Sequence, residues 1–341
     1  MVNQKIGTME EFAHVSGISR PTLSKYFNDP ASVRQSTRER IERALQKYDY
    51  RPNLFAVNQN RKFTKNIGIL VPYIGDPFFS EIMRHIEMRC LEAGYWPIVL
   101  SSHGESELEN NALETLSSLK LAGAVIAPLG HASSLNRVRQ FAAAVPTVIF
   151  DSNPVEGQVF VGTNNFQTVN MMVDYLCRTG EPPCFLEMPE VNNNAQERRV
   201  SYVLAMEKLG FEPFIVPLFG AGWGFEQLGY EAGLHYITKR GFPASTILCA
   251  NDRLAIGLMA AAHEKGLRVG RGAGCAMRIA GHDDHPLARF TCPSLTTVAQ
   301  DFTAIAEKSV QMLFALIGEE GEGDARPHIR LDGKLVLRAS A

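Results

Sequence analysis

The side chains with the clearest chemical use lie near the start of the chain, in a segment that predicts two short helices. Thr8 can cap a first helix, Gly17 can end it in a left-handed turn, and Ser19 can cap a second helix. Two short helices joined by a tight turn form the helix-turn-helix pattern. The second helix presents a surface suited to guanine edges and phosphates, which carries Arg20, Pro21, Thr22, Ser24 and Lys25.

The charge of the chain supports this interpretation. Residues 1–65 carry 12 Lys and Arg against 6 Asp and Glu, whereas the remainder carries 22 against 30. Residues 36–48 extend the basic region, because they predict a third helix with an apolar face and exposed basic side chains. A basic head on an acidic body is expected of a chain whose head alone contacts phosphate.

The length of the chain, its cysteines and its apolar segments limit the classes of protein to which it can belong. The chain has 341 residues, enough for two or three domains, and 45% of them are hydrophobic. Its six cysteines are scattered without a C-x-x-C pair, which argues against a zinc site or a disulfide framework. The first residues lack the apolar core of a signal peptide, and no apolar run approaches the ~20 residues that span a bilayer. We therefore expect a soluble, cytoplasmic protein with no metal and no cofactor.

From residue 66 the pattern becomes one of alternating strands and helices. This alternation predicts parallel sheets covered on both faces, and its restart near residue 160 predicts two doubly wound lobes. In such folds the ligand binds beyond the carboxyl ends of the strands, here in a cleft between the lobes. The predicted strands are 67–72, 95–101, 123–128, 146–151, 184–188, 245–250 and 278–283.

Several strings give the chain a specific resemblance. They are TMEEFAHVSGISRPTLSKYFN, STRERIERALQKYDYRPN, NIGILVPYIGDPFFSEIMRHIE, ANDRLAIGLMAAAHEKGL, AGHDD and PSLTTVAQDF. In order and spacing they resemble the LacI family of bacterial transcriptional regulators. The resemblance implies an all-α helix-turn-helix headpiece, a hinge, and an α/β two-lobed sensor like a periplasmic binding protein. It also implies a homodimer on near-palindromic operator DNA, a small-molecule effector that is most often a sugar, and repression of carbohydrate uptake or catabolism genes.

The resemblance also sets the expected domain boundaries. The headpiece covers residues 1–52, the hinge or linker 53–65, and the effector-binding domain 66–341. Within that domain, the first lobe is expected at about 66–162 and 298–320, and the second at about 163–297 and 321–341.

Residues of the headpiece and hinge take their expected roles from matching positions. Arg20, Pro21 and Lys25 match base-reading positions, and Pro21 lies in the first turn, where its missing N–H does little harm. Gln59 falls where the family commonly inserts an apolar side chain between bases, which puts that wedge in doubt. The hinge positions are Ala56, Val57 and Gln59; those that match phosphate contacts are Thr8, Ser19, Thr22, Ser24, Asn28, Ser32 and Asn53. For the hydroxyls among them, a local cap or turn is the alternative role.

The cleft residues are carried over in the same way. Carboxylates, amides, a guanidinium and flat aromatic faces together suit a polyhydroxylated ligand, and they are equally compatible with a sugar phosphate or an organic acid. Arg199 competes with Arg198, Asp252 is interpreted as a helix cap beside Asn251, and each aromatic residue could be simple packing. The expected effector residues are Phe78, Phe79, Asp151, Arg198, Trp223, Asn251, Asp283 and Phe302.

The alternatives belong to other classes of protein. A two-lobed α/β enzyme is disfavoured because GRGAG (270–274) follows no clear strand and no nucleophile elbow or phosphate loop occurs. A metal at HDDH (282–285) is disfavoured because neighbouring residues of an extended segment point to opposite faces. A free solute-binding protein would need a signal peptide and no headpiece.

Overall fold

The computed structural model describes residues 6–28, 30–51, 64–152, 155–318 and 327–341. Its contacts divide the chain into two compact units, Met1–Thr64 and Lys65–Ala341. We describe each unit by itself. None of the helices in the described ranges is both long and apolar enough to cross a bilayer.

The first unit contains the expected helix pair and a third helix. These are α1 (Met9–Ser16), α2 (Arg20–Asn28) and α3 (Gln35–Tyr48), with a 3-10 turn at Pro30–Ser32. Thr8 and Glu11 form a capping box at the start of α1, and Gly17 ends that helix with a φ of 63°. Local sequence therefore sets both ends of the first helix.

A small apolar core holds these helices together. Phe12 stacks on Tyr50 with ring centroids 4.4 Å apart. Arg40 of α3 donates to the carbonyl oxygen of Gly17 at 2.8 Å and so ties the turn to the third helix. Val15 of α1 lies outside this core and is 40% exposed. The buried residues of this core are Phe12, Ile18, Leu23, Ile41 and Tyr50.

The first lobe of the second unit is built on one parallel sheet. Its strands lie in the order β11-β5-β4-β3-β1-β2. They are β1 (Asn66–Val71), β2 (Trp96–Ser101), β3 (Gly123–Ile126), β4 (Thr147–Phe150), β5 (Val159–Thr163) and β11 (His328–Leu331). The helices of this lobe are α4 (Pro77–Glu92), α5 (Ser106–Ser118), α6 (Leu135–Ala144) and α11 (Phe302–Gly318).

The second lobe has a smaller parallel sheet in the order β7-β6-β8-β9. Its strands are β6 (Cys184–Leu186), β7 (Ile215–Val216), β8 (Thr246–Cys249) and β9 (Arg278–Ala280), and β10 (Thr297–Ala299) pairs with β12 (Lys334–Val336) in an antiparallel ribbon. The helices are α7 (Asn165–Thr179), α8 (Asn193–Lys208), α9 (Phe225–His235), which continues as a π-helix over Tyr236–Arg240, and α10 (Asp252–Glu264).

The chain passes between the lobes after β5, after β10 and after β11, and the last passage differs from the expected boundary. Residues 321–341 were assigned to the second lobe, but β11 pairs with β5 in the first sheet, with His328 opposite Phe160. The reason is that β11 is an edge strand whose exposure alternates, so it lacks the continuous apolar run of a buried strand. The three passages therefore lie at the β5–β11 edge of the first sheet.

Candidate functional site

The surface of α2 presents its basic side chains to solvent. Arg20, Pro21 and Lys25 are exposed, as a surface that enters a DNA groove must be. Nη1 of Arg20 lies 3.0 Å from Oε1 of Glu10, and the two side chains are 65% and 59% exposed. A pair as exposed as this is weak and screened by salt, so Arg20 can leave it for DNA.

The hydroxyls expected at phosphates have local partners as well. Oγ1 of Thr8 accepts from the Glu11 amide at 3.2 Å, and Oγ of Ser19 accepts from the Thr22 amide at 3.4 Å. Capping uses a lone pair of the oxygen, so the hydroxyl hydrogen of Thr8 can be donated to a phosphate. The hydroxyls of Ser19 and Thr22 also lie 2.8 Å apart, and one of them donates to the other. Ser24 is half-buried and Ser32 is exposed. The remaining predicted contacts lie outside the described residues: Asn53, Ala56, Val57, Gln59 and the side chain of Asn28.

The centre of the cleft is a buried ion pair between α8 and the segment after β9. Nη2 of Arg198 donates to Oδ1 of Asp283 at 2.9 Å, and these side chains are only 5% and 14% exposed. Nε of Arg198 donates to Asn165, and Nη1 donates to the carbonyl oxygen of Ala250. All three nitrogens of the guanidinium are thus oriented by the protein, as a ligand-positioning residue requires.

Oδ1 of Asp283 is shared by further groups. It accepts from Nε2 of Gln300 at 2.6 Å and lies 3.0 Å from Nδ1 of His282, whose other ring nitrogen meets Thr168. Burial lowers the pKa of His282 to about 4, so its ring is neutral. Burial opposes the ionisation of Asp283, but Arg198 and His282 outweigh it and keep its pKa below the ordinary value. Asp283 is therefore an ionised, fixed acceptor.

The first lobe contributes a second carboxylate, at the end of β4. Oδ1 of Asp151 accepts from Nδ2 of Asn194 at 2.8 Å, which links the two lobes. Asn194 in turn accepts from Asn165, the residue that also contacts Arg198. Burial raises the pKa of Asp151 to about 7, with Asp283 adding to the rise and Arg198 opposing it. Because this pKa is close to neutral pH, a charge added near Asp151 would change the protonation of its carboxyl group.

A second ion cluster joins the lobes on the far side of the cleft. Arg253 of α10 donates through Nη1 to Asp76 at 2.8 Å and through Nε and Nη2 to Glu226, both at 2.7 Å. Asp76 caps α4 and follows β1, which β3 and β4 separate from the edge where the chain passes between the lobes. Arg253 therefore ties the lobes at a distance from their connections.

A pair on the connection side mirrors this cluster. Arg330 of β11 donates through both terminal nitrogens to Glu197 of α8, each at 2.9 Å. Its guanidinium also lies 5.8 Å from the ring centre of Phe160. The lobes are thus tied by ion pairs at both edges of the cleft.

Some of the aromatic residues expected at the effector site line the cavity, and one packs beside it. Phe78, Phe79 and Trp223 line the cavity, and Trp223 lies 6.1 Å from Phe79 across the lobes. A Cβ at Gly104 would lie 2.5 Å from Trp223, so only glycine allows this approach. Phe302 is not among the lining residues: it meets Phe78 edge to face and lines a separate hollow at the lobe connections.

The residue that caps α10 differs from the expectation. Asn251, expected to bind ligand, is the helix cap: its Oδ1 accepts from the Leu254 amide at 2.8 Å, although the residue also lines the cavity. Asp252, interpreted as the cap, accepts instead from Thr297 and from the His285 amide. An Asx residue with extended φ and ψ just before a helix is the one that caps it.

The structure also places the residues of two further alternatives. Arg199, the competitor of Arg198, is half exposed and pairs with Glu187 outside the cavity. Asp284 of the HDDH string turns away to Arg338. Within the described ranges, no group of His, Cys, Asp and Glu is arranged to hold a metal.

Sequence reasoning missed several cavity residues and the cation behind them. Asp76 stands in the DPFF string, of which only the phenylalanines were used, and an asparagine run before α8 signals polar side chains at the start of a helix. No sequence pattern indicates a role for Arg253, because the residues that it pairs with come from distant segments of the chain. The missed lining residues are Asp76, Met188, Asn192, Asn194, Phe225 and Gln300.

Comparison with known proteins agrees with both units. Residues 8–53 match the model of bacterial regulatory proteins of the lacI family, and residues 183–341 match that of a periplasmic binding protein-like domain. The chain thus combines a LacI-family DNA-binding domain with a periplasmic binding protein-like domain. This confirms the family and the fold class expected from the sequence, with a helical headpiece before an α/β domain of parallel sheets.

Curated relatives match over nearly the whole length of the chain. It is 29% identical to the HTH-type transcriptional repressor PurR of Haemophilus influenzae strain PittEE, covering 98% of each chain. It is 25% identical to the ribose operon repressor of Escherichia coli K12, covering 98% of this chain and 100% of the relative. A structure of the lac repressor dimer bound to operator and the anti-inducer ONPF matches with a TM-score of 0.82 and 25% identity over 98% of this chain and 99% of that one.

Proposed function

We propose that α2 contacts operator bases through Arg20 and Lys25, and that the cleft around Arg198 and Asp283 binds the controlling effector. The chain is a ligand-responsive, DNA-binding transcriptional repressor and not an enzyme. The observation that carries the effector site is the buried Arg198–Asp283 pair, whose groups are oriented by the protein and line a cavity between two lobes. Such a cavity with a few converging polar groups is the usual form of a small-molecule site.

The proposed effector is a carbohydrate or a derivative of one, and the proposed targets are genes of its uptake or catabolism. The support is chemical, since the cavity combines carboxylate and amide acceptors with the rings of Phe78, Phe79 and Trp223. The ribose operon repressor among the relatives agrees with this class. A repressor acts on chromosomal DNA, so we assign the chain to the cytoplasm, and we propose that it binds a near-palindromic operator as a homodimer, like the lac repressor.

The proposed mechanism is a shift between lobe arrangements. An effector that contacts Asp151 on the first lobe and Arg198 on the second would bind one arrangement more tightly than another. It can shift the equilibrium only by that difference in affinity. Operator affinity then changes because the lobe arrangements differ in their affinity for DNA.

Replacing Asp283 tests the effector site directly. DNA selected by the purified protein from a random pool would serve as operator, and compounds that raise the melting temperature would serve as effectors. In Asp283→Ala protein that circular dichroism shows to be folded, we expect the effect of such a compound on operator affinity to be abolished and operator affinity without effector to stay within about threefold. Asp174→Ala is the matched control, because Asp174 is a partly exposed carboxylate of the same unit that pairs with Arg178. Full effector response in Asp283→Ala would contradict the assignment.

A further inference from the structure

The cavity between the lobes has a surplus of hydrogen-bond acceptors. Among the described residues, three carboxylates line it, from Asp76, Asp151 and Asp283, against one guanidinium, from Arg198. That guanidinium already donates from each of its nitrogens to protein oxygens. The neighbouring guanidinium of Arg253 is likewise shared between two carboxylates. The positive charge near the cavity is therefore neutralised by the protein, and negative charge remains.

One further acceptor in the cavity lacks a donor. Oδ1 of Asn192 is buried and has no hydrogen-bond partner among the described residues, and the residue as a whole is 4% exposed. The first lobe closes on it, since a Cβ at Gly130 would lie 2.8 Å from Cα of Asn192. A buried oxygen without a donor is unfavourable, because it has given up its hydrogen bonds to water. A ligand that brings a donor to this oxygen would remove that penalty.

Asp151 faces the same cavity from the opposite lobe. It holds a left-handed backbone conformation with a φ of 63°, which fixes the direction of its side chain at the end of β4. Among the described residues only its Oδ1 receives a protein donor, from Asn194. Burial and the nearby Asp283 and Asp76 raise its pKa, which shows that added negative charge is opposed at this place.

We propose that Asn192 and Asp151 form a donor-specific subsite, and that the effector carries no negative charge and presents hydroxyl or amine donors to it. The proposal rests on the proposed function of the cleft as the effector site. At neutral pH a phosphate or carboxylate group offers mainly acceptors, so it would leave the oxygen of Asn192 without a donor and would add negative charge near the ionised Asp283. Neutral sugars, polyols and amino sugars fit the subsite, whereas sugar phosphates and sugar acids do not.

A matched panel of ligands tests the class. It contains ribose, xylose, glucose and galactose, each beside its terminal phosphate, its aldonic acid and its 2-amino-2-deoxy analogue, together with the corresponding alditols. Binding to the full chain is measured by calorimetry. We expect at least one neutral or amino compound to bind, and its phosphate and acid counterparts to bind at least tenfold more weakly. Tighter binding of a phosphate or an acid, or no binding by any neutral or amino compound, would overturn the proposal.

Two variants test the residues that form the subsite. We expect Asp151→Asn, which keeps the size of the side chain, to reduce the discrimination against the phosphate counterpart at least fivefold. Asn192→Ala should weaken the neutral ligand at least tenfold while changing its phosphate counterpart less. The controls are Asp174→Asn and Asn111→Ala, which alter a partly exposed and an exposed position of the same unit. Unchanged discrimination in both subsite variants would show that these residues do not set the class.

Operator binding separates this inference from the proposed function. If a neutral ligand binds through Asn192 and Asp151 but leaves operator affinity unchanged, the subsite stands and the effector role of the cleft fails. If an anionic compound binds and changes operator affinity, the effector role stands and the inferred class fails.

Discussion

The α2 surface and the cleft both use arginines, but in opposite surroundings. The exposed Arg20–Glu10 pair stands in water, whereas the Arg198–Asp283 and Arg253–Asp76 pairs have almost no contact with it. A pair in water contributes about 0–1 kcal/mol and is screened by salt, but removing one partner of a buried pair costs about 3–5 kcal/mol. The side chains of α2 can therefore exchange their partners readily, whereas the side chains of the cleft are held in place by the residues they pair with.

This contrast fits the two tasks. A surface that scans DNA must exchange water and counterions for phosphates many times, so strong internal partners would hinder it. A cleft that distinguishes small molecules must present donors and acceptors at fixed positions, so its side chains need internal partners. Perturbing the cleft should therefore affect folding strongly, and perturbing α2 should affect DNA binding with little change in folding.

The largest effect is expected at Arg253. Replacing it with Met would leave the carboxylate of Asp76 buried without its cation, so Arg253→Met should lower the free energy of unfolding of the second unit by about 3 kcal/mol. Denaturant unfolding followed by tryptophan fluorescence measures this change. The matched control is Arg199→Met, because Arg199 is half exposed and pairs with Glu187; it should change stability by less than about 1 kcal/mol. Equal effects of the two variants would break the contrast between buried and exposed pairs.

A double variant sharpens this result. Asp76→Asn removes the buried charge but keeps a side chain that can cap α4. Combined with Arg253→Met it should recover part of the lost stability, because no uncompensated charge remains. A double variant less stable than Arg253→Met would mean that packing, and not charge, governs this edge of the cleft.

The difference between the headpiece and the cleft also explains what could be predicted from the sequence. The capping of α1 by Thr8 and its end at Gly17 depend on residues within one turn, so the sequence alone predicts them. The seven predicted strands, which correspond to β1–β4, β6, β8 and β9, are similarly visible because each is a short apolar run. β5 and β7 were not among them. β11 was missed because its exposure alternates, so it lacks a continuous apolar run, and its partner β5 lies far away in the sequence.

The resemblance predicted the cleft and several of its residues, but not the hydrogen bonds and ion pairs among them. Arg198 and Asp283 meet as a pair, but the acceptor at Asn192 and the tie from Arg253 to Asp76 arise only when the two lobes face each other. Which of Asn251 and Asp252 caps α10 depends on backbone angles that composition does not reveal. Contacts between segments far apart in sequence are thus the part that required the structure.

Per pH unit, the pH dependence of stability is the next effect in size. The folded pKa of Asp151 is about 7 against an ordinary value of 3.8, so the protonated form favours folding and stability falls as pH rises between these values. One retained proton corresponds to a slope of about 1.4 kcal/mol per pH unit. Asp151→Asn should remove this part of the decline, whereas Asp174→Asn, at a partly exposed position, should not. Unfolding by urea from pH 4 to pH 8 measures it, and parallel curves for Asp151→Asn and the unaltered chain would contradict it.

Lys25 tests the exposed surface. Lys25→Ala should weaken operator binding by about 1–3 kcal/mol and relax preference at one base pair if the lysine contacts a base edge. Its exposure means that folding should be nearly unaffected. Binding to the selected operator and to its single-base variants, measured at several salt concentrations, checks this. Uniform weakening across all sequences with a shallower salt dependence would instead make Lys25 a phosphate contact.

The smallest effect is expected at Thr8, where the cap and the proposed phosphate contact share one side chain. Thr8→Ala removes the bond to the Glu11 amide and should destabilise α1 by about 1 kcal/mol. Amide hydrogen exchange of α1 in the full chain measures this loss. Ser36→Ala is the control, since Ser36 is exposed in the first turn of α3, where the capping position is Arg34.

Thr8→Asn separates the two roles of this residue. Asparagine restores the cap but replaces the hydroxyl donor with an amide on a longer side chain. If Thr8 acts in DNA binding only through the cap, Thr8→Asn should recover both the protection of α1 and operator affinity. Recovered protection with operator affinity still reduced would make the hydroxyl a phosphate contact, and α2 would then not be the only part of the headpiece that exchanges its local partners for DNA.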